Sequence, residues 1–345
     1  RQIPEFVPHP LIRGRHLQTI FGSLVGTPHI AYTAKQHIVD LEDNDKVVMH
    51  DDCPADWRNG RRVALLLHGV SGSHASPYLV RATARLNAIG VRVFRLDMRG
   101  CGAGTAIADR PGHAGRSEDV ADVLLAIEKV CPDSKVTVVG YSMGGNIALK
   151  LLGEYGDSPP GQLDRAIVVA PPIDLAACCE QIERGLNWIY QRSFVRRLIA
   201  QVRERRLFSK KVAEIPLDPL PRRICEFDDR FTAPLSGFKS VDEYYRRCSA
   251  APLLKSIRVP TLVISAANDP LVPVELFDHV HSDAIEVHLT PCGGHLGYYG
   301  IGGIDPDRWW LDWRIIDRIG PLGNYAELKP MARNVVKNSL DFQRS

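Results

Sequence analysis

Three side chains suited to acyl-transfer chemistry occur in a fixed order along this chain: Ser142, Asp269 and His295. Ser142 lies in Gly140-Tyr141-Ser142-Met143-Gly144-Gly145, a match to G-x-S-x-G. A serine hydroxyl is a weak nucleophile until a base takes its proton, and that base needs an acid to orient it. Where G-x-S-x-G joins a strand to a helix, the partners follow in the order serine, acid, histidine. Asp269, in Ala267-Asn268-Asp269-Pro270, and His295, in Gly293-Gly294-His295, fit that order. Asn268 and Asp283 are the nearby alternatives to Asp269, and His279, His281 and His288 lie near His295. The ordinary readings of the same residues are a turn aspartate before proline, a satisfied loop histidine and an inert serine.

A developing oxyanion needs two aimed N–H groups. The turn aims the Met143 amide, and the loop His68-Gly69-Val70-Ser71-Gly72 supplies the Val70 amide. His68 precedes the serine in the chain and reads as a loop-shaping residue, not a second base. His279-x-His281 has a metal-like spacing but no apparent third ligand. Gly100-Cys101-Gly102-Ala103-Gly104 is spaced G-x-G-x-G, which is not the dinucleotide pattern. No metal and no cofactor is expected.

Strands and helices must position these groups. Gln36–Leu41 and Lys46–Asp51 read as a hairpin about residues 42–45. Val63–Leu67 is a continuous apolar run, the mark of a strand buried on both faces. Strand and helix patterns then alternate: Tyr78–Ile89 helix, Val91–Leu96 strand, Glu118–Val130 helix, Val136–Gly140 strand, Gly144–Gly153 helix and Ala166–Ala170 strand. The alternation resumes with a strand at Thr261–Ser265, a helix at Val274–Val280, a strand at Ala284–Leu289, and helices at Asp307–Ile319 and Ala326–Asn338. This predicts an α/β fold with a mostly parallel central sheet flanked by helices. The core is expected over 1–173 and 251–345, with an irregular N-terminal arm over 1–35. A helical cap insertion is expected over 174–250, where no strand pattern occurs.

The cap segment is also electrostatically distinct. Residues 184–211 hold nine Lys or Arg and one Glu, a local net charge of +8 on a chain whose total is +3. Trp188, Ile189, Phe194, Leu198, Leu207 and Phe208 are interleaved with the arginines. Two readings stand: attraction to an anionic membrane or substrate, or a solvated basic face, the more ordinary outcome.

Composition narrows the rest. At 345 residues, 45% hydrophobic and 24% charged, the chain is an ordinary globular one. A charge of +3 gives no case for nucleic acid. Eight cysteines without a C-x-x-C pair read as reduced thiols in a cytoplasmic protein. The apolar runs are too short to span a bilayer. The opening Arg-Gln-Ile-Pro does not read as a signal peptide, and the absence of an initiator Met leaves room for upstream residues.

With these motifs in place, the chain resembles the α/β-hydrolases, and among them the YheT-like branch, the AB hydrolase 4 family. The resemblance runs over most of the chain. It is carried by His16-Leu17-Gln18-Thr19, His68-Gly69-Val70-Ser71-Gly72-Ser73, Arg99-Gly100-Cys101 and Gly140-Tyr141-Ser142-Met143-Gly144-Gly145-Asn146. Further matches are Phe227-Asp228-Asp229, Thr232-Ala233-Pro234, Gly237-Phe238, Tyr244-Tyr245, Asp269-Pro270 and Gly294-His295. It implies a carboxylic ester hydrolase with Ser142, Asp269 and His295 as its triad, acting on a small ester or a lipid without a cofactor. The chain departs from the branch at His113-Ala114-Gly115-Arg116-Ser117-Glu118, where Arg116 takes an acidic position, and it lacks the hydrophobic N-terminal anchor of eukaryotic members. An acyltransferase with the same triad and a non-enzymatic binding protein are the alternatives.

Overall fold

A computed structural model describes residues 3–24, 32–278, 280–303 and 305–320. Eight strands form one sheet: β1 (Lys35–Asp40), β2 (Lys46–Asp52), β3 (Val63–Leu67), β4 (Arg92–Asp97), β5 (Val136–Tyr141), β6 (Leu163–Val169), β7 (Thr261–Ala266) and β8 (Ile285–Thr290). Their spatial order is β1-β2-β4-β3-β5-β6-β7-β8. The pairs β1–β2 and β2–β4 are antiparallel, and the others are parallel. Every residue of β3 and β5 is buried, as continuous apolar strands flanked on both sides require.

Alternate residues of these strands feed two cores. Leu65, Leu67, Val136 and Val138 pack with α3 (Ser117–Val130) and α4 (Met143–Tyr155). Ala64, Leu66, Val139 and Tyr141 pack on the other face with α2 (Pro77–Ala88) and with Trp313 and Ile316 of a C-terminal helix at Trp310–Ile319. The period-2 alternation of a strand thus closes both sides of the sheet.

Three expectations are corrected. The arm over 1–35 is not wholly irregular: residues 15–24 form α1 (Arg15–Leu24). Its buried positions are Gln18, Thr19 and Gly22, while Leu17 and Ile20 face solvent, so an apolar period does not reveal it. The helix expected over Val274–Val280 is a four-residue 3-10 turn, Val274–Phe277, following Pro273. Leu276, Phe277 and Val280 have helical spacing, yet they reach the core from a turn. The helix expected from Asp307 begins at Trp310; Asp307 stays outside and accepts the Trp309 and Trp313 N–H groups. The pattern at Ala326–Asn338 lies outside the described residues.

Between β6 and β7 the described chain is helical: α5 (Leu175–Ile182), α6 (Trp188–Arg205), α7 (Lys210–Glu214), α8 (Ile224–Phe227), a π turn (Asp228–Thr232), α9 (Ala233–Leu235) and α10 (Val241–Cys248). The C-terminal helix Trp310–Ile319 is α11. Asp174, Ser209 and Ser240 cap α5, α7 and α10 through side-chain oxygens. This segment has its own small core of Val195, Ile199, Val202, Val212, Phe227 and Phe231. Buried Asn146 of α4 ties it down. Its Nδ2 donates to Ala114 O and Cys248 O, and its Oδ1 accepts the Ala250 N–H.

Candidate active site

The sharp turn between β5 and α4 places Ser142 at φ 51°, ψ −120°, a region that non-glycine residues rarely adopt. Close packing around the turn holds it there. The Ser142 N–H donates to Val169 O, and its carbonyl accepts the Gly145 and Asn146 N–H groups. At Gly144 a side chain would overlap the Leu67 carbonyl at 2.6 Å, so only glycine lets α4 start so close to β3.

Asp269 follows β7 and His295 follows β8 at the same edge of the sheet. The Asp269 Oδ1 accepts the Leu271 and Val272 N–H groups, which fixes the carboxylate and leaves Oδ2 for His295 Nδ1 at 2.9 Å. A carboxylate only accepts, so Nδ1 carries the ring proton. Nε2 then presents its lone pair to the Ser142 hydroxyl, also at 2.9 Å. Asp269 is 4% exposed and His295 6%, so this chain of bonds is shielded from water. The arrangement can draw a proton from Ser142 as its oxygen attacks a carbonyl, and can steady the imidazolium that results.

The neighbouring candidates fall elsewhere. Asn268 Oδ1 accepts the Gly294 N–H and so shapes the histidine loop. Asp283 and His281 line a separate surface cleft with Lys255 and Arg258. His288 stacks on Trp310 from β8, and burial lowers its pKa. His279 lies outside the described residues. His68 is fully buried, with its Nδ1–H donating to Gly69 O and its Nε2 accepting the Met98 N–H. Burial lowers its pKa, the bond to Gly69 offsetting this in part, so it is a neutral brace for the loop.

That brace bears on Val70. The Gly69 N–H is taken by Tyr78 OH, whereas among the described residues no acceptor takes the Val70 or Met143 N–H. Val70, Met143, Ser142 and His295 all line one cavity of about 210 Å³. Its other walls come largely from the helical segment, among them Leu175, Phe194, Leu198, Val202 and Phe231.

Two features of the site escape sequence reasoning. The first is α1. Thr19 Oγ1 accepts the His295 N–H at 2.8 Å while donating to Arg15 O, and Gln18 bridges Ile12 O and both polar groups of Tyr299. The His16-Leu17-Gln18-Thr19 motif therefore holds the histidine loop, and the motif itself was the available signal. The second is Asp228, on the π turn and on the cavity wall. It accepts from Thr232 and Tyr245 hydroxyls, and no cation among the described residues pairs with it. Burial outweighs those two bonds and pushes its carboxyl up to about 6.

Two side-chain groups among the described residues cluster closely enough to hold an ion: His50, His74 and Asp97, and Cys179, Glu183 and Cys225. In the first, the rings stack with centroids 3.6 Å apart, and both direct a nitrogen at Asp97 Oδ2, which also accepts the Ala103 N–H. Burial would raise the Asp97 pKa, but the bonds from His50 and His74 hold it well below the usual range. Both ring nitrogens and the Ala103 N–H are taken up by the Asp97 carboxylate, which makes the cluster a hydrogen-bonded brace under the Arg99–Gly104 loop. In the second, burial pushes the Cys179 thiol up to about 11, its sulfur accepts from Tyr245 OH, and the Cys225 thiol donates to Glu183. Arg99 is a brace as well: it is buried and bonds Asp119, Asp43 and Asp45.

A serine on a strand-to-helix turn, with its histidine and aspartate after the last two strands of a mostly parallel sheet, defines the α/β-hydrolase class. Residues 63–300 match the family model for the alpha/beta hydrolase fold, and the chain belongs to that family. Within it the chain belongs to the YheT-like branch: it is 33% identical to YheT of Escherichia coli (strain K12), over 94% of this chain and 95% of that protein. It is 26% identical to the phospholipase ABHD3 of Homo sapiens, over 75% of this chain and 63% of that protein. The esterase Pf2001 of Pyrococcus furiosus shares the fold, with a TM-score of 0.53 at 18% identity, covering 93% of this chain and 100% of that one. The chain is a carboxylic ester hydrolase of the esterase and lipase type. No helix among its described residues is long and apolar enough to cross a membrane.

Proposed function

We propose that Ser142, His295 and Asp269 form the catalytic triad and that the reaction passes through an acyl-enzyme. His295 Nε2 takes the Ser142 proton as Oγ attacks the ester carbonyl, and the Val70 and Met143 amides bind the oxyanion. The tetrahedral intermediate collapses with His295 returning the proton to the leaving alcohol. Water, activated by the same nitrogen, then releases the acid and frees Ser142. Asp269 holds the tautomer that makes both transfers run through Nε2. The observation that supports this reading most is the pair of 2.9 Å bonds linking the three side chains at the wall of the apolar cavity.

The helical segment over 174–250 acts in this reading as a cap that shapes the acyl site. Its apolar walls favour short- to medium-chain acyl esters or lipids. A cytoplasmic location belongs to the same reading, supported by eight free cysteines. The basic cap would bring the enzyme to lipid at an anionic surface.

The test is turnover of a p-nitrophenyl ester series of increasing acyl length by wild type and Ser142→Ala. Turnover by wild type, with a chain-length optimum and at least about 10⁴-fold loss in the variant, is the expected result. No turnover, or turnover that survives the substitution, contradicts the reading. Added alcohol that raises p-nitrophenol release without free acid would make acyl transfer the reaction.

A further inference from the structure

The helix α6 has two unlike faces. Its inner face packs Val195, Ile199 and Val202 against Phe227 and Phe231, and lends Phe194, Leu198 and Val202 to the cavity wall. Its outer face runs through Ile189, Arg192, Arg196, Ala200 and Arg203, continuing one turn beyond the helix to Leu207, all of them exposed. These positions follow three- and four-residue steps, so they form a single stripe.

What sets that stripe apart is the density of its cations: residues 184–211 hold nine Lys or Arg against one Glu. Elsewhere on the surface, Arg61 pairs with Asp56, Arg62 with Asp164, Arg110 with Asp43 and Arg247 with Glu243. Among the described residues, no carboxylate pairs with Arg192, Arg196, Arg197, Arg203, Lys210 or Lys211. The +8 of residues 184–211 leaves the remainder of the chain at −5, so the field of the molecule points outward from this segment.

Large apolar side chains flank the unpaired cations. Leu186 is 58% exposed, Trp188 52% and Ile189 45% at one end of α6, and Leu207 78% and Phe208 57% at the other. A single exposed apolar residue needs no explanation, but two such groups bracketing a cationic stripe do. A nucleic acid would satisfy the arginines and leave the apolar ends unused. An anionic bilayer surface satisfies both, because headgroup phosphates take the guanidinium groups while the flanking side chains enter the acyl boundary.

We propose that the outer stripe of α6, from Trp188 to Phe208, docks this protein on an anionic phospholipid surface. The occupant is the lipid surface itself, not a single bound headgroup. Because the inner face of the same helix walls the cavity, docking brings the cavity close to the bilayer. The consequence for substrate delivery rests on the ester-hydrolase reading; the docking does not.

The experiment is co-sedimentation of the full chain with vesicles of phosphatidylglycerol or of phosphatidylcholine, in about 0.1 M and about 1 M salt. Three proteins are compared: wild type, Arg192→Gln/Arg196→Gln/Arg203→Gln, and Trp188→Ser/Leu207→Ser/Phe208→Ser. None of the six positions lines the cavity, so turnover of a soluble p-nitrophenyl ester and the urea midpoint report whether each variant is intact. The expected result is binding to phosphatidylglycerol at least about tenfold tighter than to phosphatidylcholine, lost in high salt. Both intact triple variants should bind at least about tenfold more weakly than wild type. Equal binding to the two lipids, no binding to phosphatidylglycerol in low salt, or an intact arginine variant that binds as wild type does would overturn the proposal. So would tight binding to an acidic polymer such as heparin combined with no vesicle binding. Vesicle binding is read without turnover, so an inactive wild type would defeat the ester-hydrolase reading and leave the docking result standing.

Discussion

Arginine is used in opposite ways in the sheet core and in the helical segment above it. In the core, Arg81, Arg95, Arg99 and Arg314 are all at most 5% exposed, and each is held by aspartate. On α6, Arg192, Arg196 and Arg203 are exposed, and no carboxylate among the described residues pairs with them. The proposed acting groups Ser142, Asp269 and His295 all come from the core, while most of the apolar cavity wall comes from the helical segment. On the proposed reading, elements braced by buried arginine–aspartate pairs hold the reacting atoms, and a segment with its own small core shapes what reaches them. Substitutions below the cavity should therefore cost rate or stability, and substitutions above it should change what binds.

The largest effect should follow from Asp269→Asn, which removes the acceptor that fixes the His295 tautomer. We expect about a 10⁴-fold loss of kcat at neutral pH with KM little changed, read from steady-state kinetics on a soluble ester. A loss confined to KM would move Asp269 from the reacting centre to substrate binding.

Next, Arg99→Met strands the buried Asp119 carboxylate and removes one partner each from Asp43, which keeps Arg110, and Asp45, which keeps backbone N–H groups. Losing one partner of a buried ion cluster costs about 3–5 kcal/mol, seen as a lower urea midpoint. Arg203→Met on the outer stripe should shift that midpoint by less than about 0.5 kcal/mol. Equal costs would erase the contrast between the two regions.

A smaller effect concerns Asp228, whose carboxyl sits at about 6 against 3.8 for the free group. The folded state holds this proton more tightly than the unfolded state, so stability from this group falls as pH rises from about 4 to about 6. The difference in unfolding free energy between wild type and Asp228→Asn should change by up to about 3 kcal/mol across that window, in favour of the variant at higher pH. A pH-independent difference would mean that Asp228 meets a cation in solution.

The smallest predicted loss is at the support of the histidine loop. Thr19→Val keeps the shape of the side chain and removes the acceptor of the His295 N–H. A buried donor left without a partner costs about 1–3 kcal/mol, so kcat should fall about tenfold, and Thr19→Ser should restore it. A drop in stability with kcat intact would make Thr19 structural only.

How far the sequence carried these conclusions follows from how each element is stabilised. β3, β5 and β7 read directly from Val63–Leu67, Val136–Gly140 and Thr261–Ser265, because strands buried on both faces are short, mostly apolar runs rich in β-branched residues. The order Ser142, Asp269, His295 was legible because each follows a strand at one edge of the sheet. The α1 helix was not, since Gln18 and Thr19 hydrogen bonds hold it, with Phe21 against Tyr299 and Trp309, while Leu17 and Ile20 face solvent. Val274–Val280 misled for the converse reason, with helical spacing satisfied by a short turn. The buried position of Asp228 on the cavity wall depends on how the helical segment folds over the sheet, which no local pattern encodes.

The central claim is that His295 activates Ser142. Its most direct test is reaction with a fluorophosphonate followed by intact mass on wild type, Ser142→Ala and His295→Ala. The account predicts one adduct on wild type, none on Ser142→Ala and slow labelling of His295→Ala. An unlabelled, folded wild type, or an adduct that persists in Ser142→Ala, would contradict it.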